Sequence, residues 1–372
     1  MTAPAGDAPS AASRLAHIDC LRAIAALLVG VYHLVPLVNA TGPLPASILG
    51  VLSINAYLDF GRMGVMLFFL ISGYVISYSL LRRRERTVPR FVLSRFFRLY
   101  PVYWVSIVFV VFISPASYDA MTYAVNVTMF QKFFGFTNVN NLYWTLAVEL
   151  VFYALCVVLF LFGVLARFRR MVTLFWLLTA YAVLAAAVHR YTEVYLPYAT
   201  PMFLTFMIGG SILRHMDEEG IAKDARFWAG FALYTCSMAL MSYNFYYDSL
   251  AFHKVWYRDF LCNTIAIAIF FNFTYVYTLR LRALSYIGLI SYSFYLFHAL
   301  LGDWIVFQLT AVGLISSLSP YILIILLYAA AIGFSAASYH LIERPAMNFG
   351  RKVSRALLTD GKVALVGERG RF

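Results

Sequence analysis

The sequence predicts an all-α integral membrane protein of about ten transmembrane helices with both termini in the cytoplasm. Three observations carry this. The 372 residues are 62% hydrophobic and only 12% charged, with a mean hydropathy of +0.77. A soluble domain carries about 25% charged residues, so this chain lacks the polar surface for water. Its apolar runs approach the roughly 20 residues that a helix needs to cross a bilayer. Finally, lysine and arginine fall into alternate gaps between those runs.

Taken in order, the runs place helices at about 17–38, 57–80, 99–113, 142–164, 171–188, 198–214, 227–243, 258–278, 285–310 and 320–340. The third is short and is predicted to begin earlier, near Ser94. Counting from the N-terminal tail, odd-numbered gaps and the C-terminal tail hold 23 Lys and Arg. The alternate gaps hold four, Lys132, Arg190, Lys254 and Arg258. By the positive-inside rule this puts both tails in the cytoplasm and requires an even number of spans. The chain then divides into an N-terminal tail at 1–16, a membrane domain at 17–340 and a C-terminal tail at 341–372.

Composition also excludes several functions. The net charge of +12 would suit nucleic acid, but the cations lie between membrane spans, so nucleic acid is not an expected partner. Cys20, Cys156, Cys236 and Cys262 sit in or beside apolar runs, with no zinc spacing and no disulfide framework. The stretch from Ile18 to Val38 contains Asp19, Arg22 and His33, which a cleaved signal would not, so it reads as a retained helix. No phosphate loop, dinucleotide fingerprint, nucleophile elbow or metal cluster is present in the sequence.

Function must then come from polar groups within the spans. A charge at bilayer depth costs roughly 2.5–3.5 kcal/mol on insertion scales, so each is a functional candidate or half of a helix-fixing pair. The first helix carries Arg22 and, eleven residues on, His33, about 16 Å farther along the axis. A neutral buried histidine suits a general base, or simply bonds a neighbouring helix. The second helix begins with Asp59 and Arg62, spaced to pair on one face, and continues to Ser72 and Gly73, where a helix or a substrate can approach closely. Arg95 and Arg98 share a face at the inner boundary, which suits a phosphorylated ligand or anionic lipid. Trp144 and Glu149 lie in the fourth helix, with Glu149 placed near the estimated depth of His33 as its candidate partner. Ser291, Tyr295 and His298 form a polar stripe on the ninth helix, which also suits simple helix–helix adhesion.

These residues resemble the acyltransferase-3 family of membrane O-acyltransferases. The resemblance rests on Arg22 and His33, on Phe68-Phe69-Leu70-Ile71-Ser72-Gly73-Tyr74, and on Arg95-Phe96-Phe97-Arg98-Leu99-Tyr100-Pro101. It continues through Tyr143-Trp144-Thr145-Leu146-Ala147-Val148-Glu149, Ser291 to His298, and Ile342-Glu343-Arg344-Pro345, in order along nearly the whole chain. It implies an acyl group, by default acetyl, moved from acyl-CoA to a hydroxyl of a sugar, another envelope component or a secondary metabolite, at a bacterial inner membrane. It implies His33 and Glu149 as catalytic, and Arg95 and Arg98 as handling the donor. Arg22, Ser72 and Gly73 join the donor path, while Arg62, Trp144, Tyr295 and His298 fall to the acceptor. No metal is implied. Partners are acyl-CoA, the hydroxyl acceptor and membrane lipid.

A mechanism follows in which the donor's phosphates dock on the arginines and the thioester meets the acceptor at His33, oriented by Glu149. A variant passes the acyl group through His33 itself. The rival reading is a proton-coupled transporter or exporter of a small molecule or glycan, which also places His and Glu at mid-membrane. It predicts inverted repeats and broken helices, of which Gly209-Gly210 is the nearest sign.

Overall fold

A computed structural model describes residues 11–81, 86–113, 118–192, 194, 196–246 and 256–359. Arg82, Arg83, Arg84, His253, Lys254, Lys362, Arg369 and Arg371 lie outside the described residues. Among the described residues 86% are helical and no strand occurs. It is an all-α membrane protein, as its composition predicts.

The first half runs α1 (Ala11–Leu34), α2 (Ala46–Tyr57), α3 (Phe60–Leu81), α4 (Thr87–Ile113), α5 (Ala120–Val127) and α6 (Tyr143–Leu161). The second runs α7 (Phe168–Thr192), α8 (Ala199–Glu219), α9 (Ala225–Tyr246), α10 (Trp256–Phe271), α11 (Arg282–Leu289), α12 (Ser291–Ala311), α13 (Pro320–Ser338) and α14 (Arg344–Thr359). Among the described residues, eight continuous helical stretches are long and apolar enough to cross a membrane: His17–Thr41, α3, α4, α6, α7, Trp256–Val276, α12 and Pro320–Leu358. The helices α8 and α9 match them in length, at 21 and 22 residues, and lie outside that set.

Local sequence sets the ends that matter for function. Pro36 lacks a backbone N–H, and the α-helix gives way at Leu34 to a 3-10 turn over Val35–Thr41. His33 therefore lies in the last turn of α1. Asp59 caps α3, its carboxylate accepting from the Arg62 backbone N–H at 2.8 Å. Asp119 does the same for α5 through Thr122. Gly220, at φ 64°, takes the left-handed turn that ends α8.

Several elements differ from the sequence expectation. The short helices α2 and α5 had no periodic signal long enough to declare them. The third expected helix begins at Thr87, two turns before Ser94, so Arg90 is helical along with Arg95 and Arg98. The expected helix at 285–310 is two, α11 and α12, broken at Ile290. The reason is a close crossing: a Cβ on Gly288 would lie 1.8 Å from the Asp19 carbonyl, so α11 rests directly on the α1 backbone. Residues 341–359 of the expected tail are helical. A π-turn over Tyr339–Glu343 leads into α14, which lies along α4 with Gly350 seated on Phe97.

The centre of the bundle is α3, packed between α1 and α8. Glycine makes both contacts possible. A Cβ on Gly64 would meet the Ala25 carbonyl at 2.5 Å, one on Gly73 the Met207 carbonyl at 1.8 Å, and one on Gly210 the Leu70 carbonyl at 2.2 Å. Ser211 adds a hydrogen bond from its hydroxyl to the Gly73 carbonyl, 3.0 Å. Such backbone-to-backbone approach is how membrane helices associate without a hydrophobic drive. The helices α7 and α9 pack outside α8, and α12 and α13 close the other side.

Overpacking a tight contact costs about 1–3 kcal/mol, and here the obstacle is backbone that cannot swing aside. Gly73→Ala should therefore lower the thermal unfolding midpoint of detergent-solubilised protein markedly. Gly50→Ala on α2, which meets nothing within 4 Å, should leave it unchanged or raise it slightly.

Candidate active site

Two cavities meet at the arginines of α4. The first is a cleft of about 560 Å³ between α4 and α14, lined by Arg90, Ser94, Arg95, Arg98, Met347, Gly350, Arg351, Ser354 and Arg355. Among the described residues five arginines and no acid line it. The second, about 380 Å³, lies inside the bundle and includes Asp19, Arg22, Ser72, Arg95, Arg98, Thr145, Glu149, Tyr153, Ser291, Tyr292, Tyr295 and Met347. Arg95, Arg98 and Met347 belong to both walls, so a ligand passing between the cavities must pass these side chains.

The inner cavity carries a dense polar network. Glu149 accepts a 2.5 Å hydrogen bond from Tyr153 and a 3.5 Å bond from Ser72. Arg95 donates to Ser79 at 3.3 Å and lies against the Phe91 and Tyr153 rings. Arg22 stands 3.9 Å from Asp19. Arg98 lies in the field of Tyr153, Glu343, Glu149 and Asp19, and Arg22 in that of Asp19, Glu343 and Glu149. Three guanidiniums, Arg95 included, and three carboxylates thus share one neighbourhood, which reduces the cost of holding either sign there. Tyr295 and Thr145 share a 2.8 Å hydrogen bond on one wall, and Tyr292 donates to the Leu99 carbonyl.

Of the residues singled out in the sequence, Arg22, Ser72, Arg95, Arg98, Glu149 and Tyr295 come together around this cavity. His33 does not line it. Its neighbours are Tyr32 and His298, with ring centroids at 4.8 and 5.3 Å. The phenol of Tyr295 and the ring of Phe68 separate the cavity from this histidine pair, Phe68 meeting Tyr295 at 6.1 Å and Tyr295 meeting His298 at 6.3 Å.

Glu149 is therefore not the hydrogen-bond partner of His33 in this arrangement, contrary to the estimate from depth. That estimate counted inward from the membrane boundary. Tyr143, the first residue of α6, is already fully buried, beneath a loop whose Met129, Gln131, Val139 and Leu142 are buried too. Glu149 lies six residues below that submerged start, while His33 occupies the last turn of α1.

The other sequence candidates take different places. Gly73 faces the α8 backbone rather than the cavity. Trp144 packs on Phe69 and Phe203. Arg62 does not pair with Asp59. Asp59 is spent on capping α3, and the Arg62 guanidinium instead forms an ion pair with Asp259 on α10 and reaches Asn263 at 3.4 Å. Asp59 faces Arg258 at 3.7 Å. No group of three or more His, Cys, Asp and Glu suited to a metal occurs among the described residues.

The sequence profile of the acyltransferase-3 family, described as an acyltransferase domain, matches residues 15–340. The chain belongs to this family. It is an acyltransferase, and its helices make it a multi-pass membrane acyltransferase. Neither the curated proteins nor the solved structures contain a match.

Within the acyltransferase, two site residues had escaped the sequence reading. Glu343 is 2% exposed and accepts from Ser293 at 2.9 Å. It lies in the π-turn after α13, a distortion common at functional sites, and the sequence shows it only as part of the closing Ile342-Glu343-Arg344-Pro345 motif, without a role. Tyr153 stands one turn after Glu149, an i,i+4 spacing visible in the sequence. Arg351 and Arg355 had been counted only as tail cations, because the helix that turns them toward α4 was not foreseen.

At the far end, Asp259 is the partner that neutralises a largely buried Arg62. Asp259→Asn should destabilise the acyltransferase by about 3–5 kcal/mol, since removing one partner leaves a charge uncompensated. Loss of folded protein in detergent on heating is the measurement. The double exchange Arg62→Met with Asp259→Leu should recover most of the loss.

Proposed function

We propose that this acyltransferase moves an acyl group, by default acetyl, from acyl-CoA to a hydroxyl of a sugar or another envelope or secondary-metabolite acceptor. The observation that carries the reading is the junction of an arginine-rich cleft with a cavity inside the bundle that holds a polar network, through Arg95 and Arg98. Guanidiniums bind phosphate in bidentate fashion. A CoA thioester has phosphates at one end and its reactive carbonyl at the other, joined by a long amide-bearing arm. The charged cleft suits the first, and the channel leading from it suits the arm.

On this reading the end of the bundle with the cleft faces the cytoplasm, in keeping with the excess of cations in alternate loops and in keeping with where CoA is made. The pantetheine arm lies along Ser72, Glu149 and Tyr153. Glu149 acts on the donor side, holding the polar wall with Tyr153, rather than orienting His33. The thioester passes Phe68 and Tyr295 to reach His33, about 16 Å beyond Arg22 along α1. An acceptor arriving from the opposite face places its hydroxyl on His33. The imidazole takes the hydroxyl proton, the oxygen bonds to the thioester carbonyl, and the C–S bond breaks to release CoA thiolate. The thiolate regains the proton from His33, so the enzyme returns to its starting state.

The test is transfer of label from acetyl-CoA in isolated membranes with a crude envelope extract as acceptor. Label should reach an envelope product with the intact protein. His33→Ala at matched expression should reduce the rate at least 100-fold, the scale of a general base. Unchanged transfer by His33→Ala would overturn the role given to His33. Proton-driven solute movement without consumption of acyl-CoA would favour the transporter reading.

A further inference from the structure

His33 stands beside a second histidine for which donor binding provides no use. We infer that His298 is a positioning residue that holds the His33 ring in the tautomer a base requires. This rests on the reading of His33 as the base.

The argument begins with the protons. Nδ1 of His298 lies 2.8 Å from the Phe294 carbonyl oxygen and 3.0 Å from that of Tyr295. A carbonyl oxygen only accepts, so Nδ1 carries the hydrogen and donates it. In the neutral ring Nε2 is then a lone-pair acceptor. That nitrogen is buried and meets no hydrogen-bond partner among the described residues. The ring has no freedom to find one elsewhere. It is 0% exposed and stacked on Phe294, with centroids 5.1 Å apart and planes within 4°. An unsatisfied buried acceptor costs about 1–3 kcal/mol, and a rigid site that keeps one holds it for a donor.

The neighbouring donor is His33. The two ring centroids are 5.3 Å apart at an interplanar angle of 64°. Two imidazoles joined nitrogen to nitrogen have centroids about 5 Å apart, the sum of a hydrogen bond and two ring radii. A modest turn of the less buried His33 ring closes that bond, as catalytic hydrogen bonds often tighten only when reactants bind. Once His33 donates one N–H to His298, its other nitrogen must bear the lone pair. That nitrogen takes the acceptor's proton, while the N–H to His298 stays in place throughout. The carboxylate of a catalytic triad does the same for its histidine. Here the holder is a neutral ring, which avoids placing a further charge in the membrane.

The ionisable and hydroxyl-bearing groups around the pair are few. Tyr295 is on the same helix as His298. From α1 come Tyr32 and His33, and from the head of α3 the Asp59 carboxylate faces His33, with Arg258 of α10 beyond it. Phe294 of α12 and Tyr328 of α13 close the site against Gly30.

Three variants separate positioning from packing, each purified and matched for thermal midpoint. His298→Gln keeps an acceptor near the Nε2 position. His298→Asn keeps a donor for the Phe294 carbonyl but falls short of His33. His298→Met keeps volume and supplies neither. Met and Asn should lower kcat by about 100-fold with KM for acetyl-CoA unchanged, and Gln should recover kcat to within about tenfold of wild type. Asn or Met variants with wild-type kcat, or a Gln variant no better than Asn, would overturn the inference. If that result comes while His33→Ala is inactive, the base reading stands and only the positioning role falls. If His33→Ala is active, the base reading itself has failed.

Discussion

Charges inside a bilayer must be neutralised by their neighbours, and this acyltransferase meets that constraint by gathering its ionisable groups into two clusters. Around the inner cavity, Arg22 and Arg98 share the field of Asp19, Glu149 and Glu343. Near the opposite end, Arg62 pairs with Asp259 and Arg258 faces Asp59. A lone charge at these depths would cost several kcal/mol, whereas a compensated set costs far less. The helix crossings at Gly64, Gly73, Gly210 and Gly288 hold α3 close to α1 and α8 and lay α11 on α1, and so give these groups a fixed scaffold. Packing and electrostatics therefore depend on one another.

On the proposed function, the cavity cluster and the histidine pair take different tasks. The cavity cluster adjoins the arginine cleft and is acidic enough to hold its own cations while leaving the cleft side open to phosphate. The histidine pair lies beyond Tyr295 and Phe68, away from that field. Separation matters for chemistry. His33 stands outside the cavity cluster, with the Asp59 carboxylate toward it, and a phosphate site works best where cations outnumber acids. An elongated donor that is charged at one end and reactive at the other fits such a division.

Much of this was legible in the sequence. Low charge and long apolar runs gave the class, and five of the six family motifs hold Arg22, Ser72, Arg95, Arg98, Glu149 and Tyr295, which line one cavity. What stayed hidden has physical causes. Glu149 looked level with His33 because α6 was taken to start at the membrane edge, whereas Tyr143 begins it deep within the protein. Asp59 and Arg62 looked like a pair, but a residue just before a helix is claimed by the backbone N–H groups of the first turn. Gly73 suits either a helix or a substrate on sequence alone, and α8 takes the place. Arg351 and Arg355 looked like ordinary tail cations, because only the continued helix after the π-turn brings them to α4. Spacing along one helix was reliable. Depth across helices, and the choice between a near and a distant partner, required the packed structure.

The central claim is that one extended donor runs from the arginine cleft past Glu149 to His33. An electron cryo-microscopy structure in lipid nanodiscs, with a non-reactive thioether analogue of acetyl-CoA, tests it most directly. The account predicts the phosphates between α4 and α14 against Arg95, Arg98, Arg351 and Arg355, with the acyl end beside His33. Phosphates bound away from that cleft, or an acyl end halted at Glu149 with Phe68 and Tyr295 closed between it and His33, would contradict it.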